Sequence, residues 1–182
     1  MNLIETTFVG VYLIVPTVFE DARGFFMESY NENKFLQNNL NYRFVQDNHS
    51  LSKEKGTIRG LHYQLTPKAQ TKLVRVLSGA IYDVVVDIRK NSPTFGQWQG
   101  FELSAANKHQ LLIPKGFAHG FCTTLPETEV FYKVDDFYSP EYDRGIAWND
   151  PDLGIDWPTT YPILSDKDKK HPLLMDAENN FE

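Results

Sequence analysis

Residues 72–89 read KLVRVLSGAIYDVVVDIR, and this stretch decides the fold. The runs 72–77 and 80–88 are short and rich in β-branched side chains, which are stiff at χ1 and suit a pleated strand better than a helix. Between them Ser78-Gly79 reads as a turn, because glycine reaches positive φ without steric cost. Alternation in the second run places Tyr82, Val84, Val86 and Ile88 on one face and Ile81, Asp83, Val85 and Asp87 on the other. Asp83 is therefore flanked by Ile81 and Val85, and a carboxylate so placed needs a charged or hydrogen-bonding partner.

The pattern recurs outward from this stretch. Runs at 8–15, 25–30, 42–48, 57–64, 100–103, 110–113, 118–123 and 130–134 are apolar-rich and separated by turn signals such as Glu20-Asp21-Ala22-Arg23-Gly24, Ser92-Pro93 and Pro114-Lys115-Gly116. One helix stands out: Asn31 can cap 32–40, which carries Phe35, Leu36 and Leu40 at helical spacing, and Asn41 can end it. Strands of this length and spacing predict an all-β fold, a jelly roll of two packed antiparallel sheets with one or two short helices. An immunoglobulin-like sandwich fits less well, since no Cys/Trp/Cys spacing is present. From 135 onward the periodicity fades into Tyr, Trp, Asp and Pro, which reads as an irregular C-terminal wrap over a single domain, 1–182, rather than a second domain.

The 182 residues carry a formal charge of −6 and no long basic tract, which argues against the nucleic-acid backbone as main partner. An anionic ligand must therefore be held by a few placed cations. A lone cysteine, Cys122, excludes an intrachain disulfide and a cysteine-rich zinc site, and a reducing cytoplasm is the simplest home. The longest apolar run near the start, 11–15, is far short of the roughly 20 residues that cross a bilayer, so neither a leader nor a membrane partner is expected.

TIRGLHYQ (57–64) holds a conflict. Arg59 and His62 are three apart, and regular alternation would send them to opposite faces unless Gly60 breaks the pattern. A lone strand histidine is most often a packed or rim residue. His62 and His119 are two, however, with Lys72, Asp83 and Tyr132 on neighbouring strands, and a jelly-roll interior collects residues from several strands. Residues 113–119, IPKGFAH, match the second metal motif of cupin barrels, PxGxxH. The first motif would bring His-x-His and a later Glu, where this chain offers His62-Tyr63-Gln64 and Lys72. With two ligands missing, no metal and no other cofactor are expected. Nucleophile and phosphate-loop motifs are absent from the sequence.

Eight ordered blocks carry a resemblance along nearly the whole chain: DARGFFMESY (21–30), FVQDNHS (44–50), GTIRGLHYQ (56–64), KLVRVLSGAIYDVVVDIR (72–89), LLIPKGFAHGF (111–121), VFYK (130–133), FYSPEYDRGIAWNDP (137–151) and LSDKD (164–168). They are similar to the dTDP-4-dehydrorhamnose 3,5-epimerases, metal-free cupin-type jelly-roll enzymes. The resemblance implies a dTDP-4-keto-6-deoxy-D-glucose substrate, whose C3 and C5 protons are acidified by the C4 ketone. It implies that His62 is the base, that Asp168 fixes its tautomer, that Tyr132 is the acid on the opposite face and that Lys72 steadies the enolate. Asp83 and His119 would complete the polar ring around the sugar. Arg23 and Arg59 would grip the diphosphate, Tyr138 would stack on thymine, and Phe25, Glu28, Gln46, Asn48, Asp143 and Lys167 would add substrate contacts. Asp143 departs from the family pattern, which has the longer Glu there.

The family pattern also implies a homodimer in which Arg23 or Glu28 reaches across to the partner's nucleotide site. Two rival functions are an epimerase acting at C3 only and a non-catalytic sugar-nucleotide-binding cupin; the latter has no need of His62, Lys72 and Tyr132 together. If Arg59 and His62 serve one ligand, the strand must be irregular at Gly60-Leu61, or Arg59 must approach from the strand end.

Overall fold

In the computed structural model, which describes residues 1–182, the two halves of 72–89 belong to different sheets. The strands, in chain order, are β1 (Asn2–Glu5), β2 (Tyr12–Val15), β3 (Val18–Asp21), β4 (Gly24–Met27), β5 (Gln46–Ser52), β6 (Ile58–Gln64), β7 (Lys72–Ser78), β8 (Ala80–Asp87), β9 (Trp98–Ser104), β10 (Gln110–Ile113), β11 (Phe117–Thr123), β12 (Thr128–Val134) and β13 (Asp143–Gly145). One sheet has the order β1-β2-β10-β7-β12-β5, the other β13-β6-β11-β8-β9, and β3 and β4 form a separate hairpin. Their ladders are antiparallel. The Ser78-Gly79 turn is thus the corner at which the chain passes from one sheet to the other, as a jelly roll requires.

Alternation along each strand builds the layers. Val74 and Val76 of β7 meet Ile81 and Val85 of β8, with Phe101, Leu111, Phe117, Phe121 and Val130, in a core between the sheets. The opposite face of β8, Val84 and Val86, packs with Leu61 and Cys122 against Ile146, Leu153, Trp157 and Leu174 of the C-terminal segment. That segment therefore covers the outer face of the five-stranded sheet, as an irregular wrap should. On the outer face of the six-stranded sheet, Ile14, Leu73 and Leu112 are covered by Phe35 and Leu40.

Several element boundaries depart from the sequence reading. The run 8–15 is not one strand: the Thr6 hydroxyl accepts from the Phe8 N–H (3.1 Å) and lies 3.0 Å from the Val11 carbonyl, closing a turn that drives Phe8 and Val11 into the inter-sheet core. The helix, α1 (Glu32–Gln37), is capped by the Asn31 side chain as expected but stops early, because Asn39 adopts φ of +60°. The run 42–48 is also displaced: Tyr42 and Phe44 join an aromatic cluster with Tyr30 and Phe35, and pairing starts only at Gln46. No helix is long and apolar enough to cross a membrane.

Candidate active site

The conflict in TIRGLHYQ is resolved by a β-bulge. His62 lies opposite His119 and Arg59 opposite Phe121, so three steps along β6 run beside two along β11. The extra residue resets the alternation: Leu61 packs beneath the wrap, while Arg59 and His62 line one cavity. Glycine is required on both strands here. Gly60 has φ of +138°, and a Cβ on it would lie 2.5 Å from Gly120 Cα; a Cβ on Gly120 would lie 2.8 Å from the Arg59 carbonyl oxygen. The Gly60-Leu61 peptide is cis. Bulging leaves Leu61 without ladder partners on β11, and Ile146 of the wrap supplies them through backbone hydrogen bonds of 3.2 and 2.9 Å.

The cavity has a volume of about 470 Å³ and lies between the sheets, with the C-terminal wrap as its third wall. At one end His62 Nε2 stands 2.6 Å from Asp168 Oδ1, a charge-assisted hydrogen-bond length. Asp168 begins a single 3₁₀ turn (Asp168–Lys170), and its N–H donates to Ser165 Oγ. Burial pushes the Asp168 carboxyl up, but the hydrogen bond and charge of His62, with Ser165 and His171, outweigh it and hold the group below its ordinary pKa. An ionised carboxylate on one ring nitrogen fixes the tautomer and leaves the other nitrogen as a proton acceptor.

Lys72 enters from β7, buried, and donates to the His62 carbonyl at 3.3 Å. Desolvation lowers its pKa from 10.5 to about 8 against the pull of Asp83 and Asp143. The carboxylate foreseen between Ile81 and Val85 has its partner: Asp83 accepts from His119 Nε2 at 2.9 Å, both groups being buried. Burial holds the His119 pKa below its ordinary value, with Asp83 opposing. Tyr132 projects from β12; burial raises its phenol pKa, Arg59 opposing and Asp143 assisting, so the phenol keeps its proton and can act as an acid.

Arg59 is steadied by Ser52 Oγ (3.1 Å) and the Leu51 carbonyl (3.0 Å). Tyr138 donates to Asp143 Oδ2 at 3.1 Å, and the same oxygen is paired with Lys167. Asp143 thus ties these two cavity residues together. Gln46 accepts from the Tyr138 N–H (3.0 Å) and donates to Asn48 (3.0 Å). Six expected residues do not line this cavity within one chain: Gln46 and Asn48 stand behind Tyr138, Asp83 is fully buried behind His119, and Arg23, Phe25 and Glu28 lie elsewhere. Arg23 and Phe25 lie on the β3–β4 hairpin, where Arg23 pairs with Asp21, and Glu28 pairs with Lys34 beside the helix.

Sequence reasoning missed His171 and Ser165. His171 Nε2 lies 3.4 Å from the Asp168 oxygen that faces His62. His171 directly follows the 3₁₀ turn in extended backbone, so no helical spacing in the sequence pointed to it. Gln64 lines the cavity too, but its amide is spent on the carbonyls of Lys68 and Phe137 and the N–H of Ser139. His62, Asp168 and His171 gather three donor atoms within 4.8 Å, the only such group; the 2.6 Å contact fits a proton held between base and carboxylate.

Known proteins are similar to this chain over nearly its whole length. The family profile described as dTDP-4-dehydrorhamnose 3,5-epimerase matches residues 5–176. The chain belongs to that family. A dTDP-4-dehydrorhamnose 3,5-epimerase of Shigella flexneri is 54% identical over 179 residues, 98% of each chain. Among solved structures, the enzyme of Bacillus anthracis with TDP and pyrophosphate bound is 59% identical, with a TM-score of 0.93 over 94% of this chain and 98% of that one. An epimerase of Legionella pneumophila in complex with dTDP-4-keto-L-rhamnose is 47% identical, with a TM-score of 0.92 over 96% and 93%. Family membership makes the chain an isomerase of the jelly-roll type foreseen from its strands.

Proposed function

We propose that the cavity epimerises dTDP-4-dehydro-6-deoxy-D-glucose at C3 and C5, giving dTDP-4-dehydro-L-rhamnose, by proton removal and return beside the C4 ketone. The observation that carries this reading is the convergence of His62, Lys72 and Tyr132 on one cavity, from three strands in two sheets. His62 takes the proton, and Asp168 stabilises the imidazolium that forms. Lys72 faces the developing enolate oxygen as a desolvated cation, where its charge acts more strongly than in water. Tyr132 returns a proton on the other face. His119, held from behind by the buried Asp83, faces the sugar hydroxyls. A buried lysine opposed by desolvation has no use in a passive binder of a neutral sugar, and this favours the enzyme over the binding module.

The nucleotide lies toward Arg59, Lys167 and Tyr138, with Asp143 at the rim and Gln46 and Asn48 behind Tyr138. The hairpin residues Phe19, Phe25 and Phe26 are 63%, 56% and 67% exposed, a patch that a soluble monomer rarely leaves open. A second copy of the chain would cover it and bring Arg23, Phe25 or Glu28 to the nucleotide end of the neighbouring cavity. The chain acts as one domain in the cytoplasm, without a cofactor. His62→Ala tests the reading: turnover of dTDP-4-keto-6-deoxy-D-glucose should fall at least about a hundredfold in a protein that stays folded. Full turnover in that variant would overturn it.

A further inference from the structure

We propose that His171 is a positioning residue for the base: it shares the Asp168 carboxylate with His62 and so sets how tightly that carboxylate holds the His62 proton. The inference rests on the reading of His62 as base. Both histidine Nε2 atoms face one oxygen, Asp168 Oδ1, at 2.6 Å and 3.4 Å, and the rings meet edge to face with centroids 5.5 Å apart. His171 Nε2 is fully buried and is the one buried side-chain polar atom left without a hydrogen bond. Facing a carboxylate oxygen, it must carry its proton, because an unprotonated nitrogen would set lone pair against lone pair.

The site is built for this ring. β13 pairs with β6 so that Gly145 lies opposite His62, and a Cβ on Gly145 would stand 2.4 Å from the His171 imidazole. The ring thus occupies the space a side chain would fill. His171 follows the 3₁₀ turn Asp168–Lys170 in extended backbone, and its ring folds back to the Asp168 carboxylate.

The charged neighbours fix the direction of the effect. His171 meets Asp168 and Lys167 from its own segment and His62 from β6, and burial keeps it on the neutral side of its ordinary range. Around His62 stand Lys72 from β7 and His119 from β11. On β13, Asp143 is engaged by Lys167 and Tyr138, and Arg144 by Glu178. A donor from His171 withdraws carboxylate charge that would otherwise stabilise the His62 imidazolium. Removing it should raise the proton affinity of His62.

The test is the pH dependence of kcat and the imidazole NMR titration of His62, in wild type, His171→Phe and His171→Gln. His171→Phe should move the acidic limb of kcat and the His62 midpoint up together by about half a pH unit, the size of a modest hydrogen bond, with KM unchanged. His171→Gln, which keeps a donor, should restore both. No movement in His171→Phe, or an equal movement in both variants, would overturn the proposal. If wild type fails to epimerise, the functional reading falls, while the NMR midpoints still decide the coupling. Should His171→Phe not fold, the nitrogen shifts of wild-type His171 serve: Nε2 protonated throughout the His62 titration supports the proposal, and Nε2 unprotonated overturns it.

Discussion

Replacing Lys72 with methionine should make the protein more stable and nearly inactive. In the folded chain this ammonium is buried, and its pKa falls from 10.5 to about 8 because desolvation outweighs the attraction of Asp83 and Asp143. At about 1.36 kcal/mol per tenfold change in proton affinity, holding the charge costs about 3 kcal/mol of stability. The unfolded chain binds this proton more tightly, so the penalty is fully present below pH 8 and is relieved as pH rises toward 10.5. Methionine removes the charge but leaves the His62 carbonyl without its 3.3 Å donor, a loss of about 1 kcal/mol. The net gain at pH 7 is about 2 kcal/mol, which for a chain of this size raises Tm by about 4–8 °C. Turnover should fall by a factor of about 100 or more, as for the loss of a group that stabilises an oxyanion. Thermal unfolding at pH 7 and at pH 10.5, with turnover measured on the same preparation, checks both halves; the stability gain should shrink at the higher pH. A methionine variant less stable than wild type at pH 7, or one with wild-type turnover, would refute the assignment of a buried, strained cation to the enolate. The wild-type rate should also decline as pH rises through about 8, where Lys72 loses its proton.

Gly60→Ala should destabilise the fold by about 2–6 kcal/mol, combining strain at positive φ with overpacking against Gly120; an unchanged denaturant midpoint would contradict the bulge argument. Tyr132→Phe keeps the base but removes the acid on the opposite face. Substrate protons should therefore still exchange with solvent while inversion is lost, and NMR of the recovered sugar would show normal inversion if Tyr132 were not the acid.

Legibility in the sequence followed the physics of each element. The 110–113 strand and the alternation of 80–87 were readable because apolar residues there face packed layers on both sides. The split of 8–15 was not, because a single threonine hydroxyl decides it through local hydrogen bonds. β13 lies hidden within the wrap, since three residues paired to a sheet edge carry no periodicity. In the site, Asp83 announced itself as a carboxylate among aliphatic residues, and the spacing of Arg59 and His62 foretold the bulge. Asp168 entered only through family resemblance. His171 stayed unseen because its partner lies in the same irregular segment, where no strand or helix pattern says which side chains turn inward.

The most direct measurement is product NMR after incubation with dTDP-4-keto-6-deoxy-D-glucose in deuterated water. If His62 and Tyr132 work on opposite faces of an enolate held by Lys72, the product is dTDP-4-keto-L-rhamnose with deuterium at both C3 and C5. Deuterium at C3 alone, or at neither carbon, would contradict it.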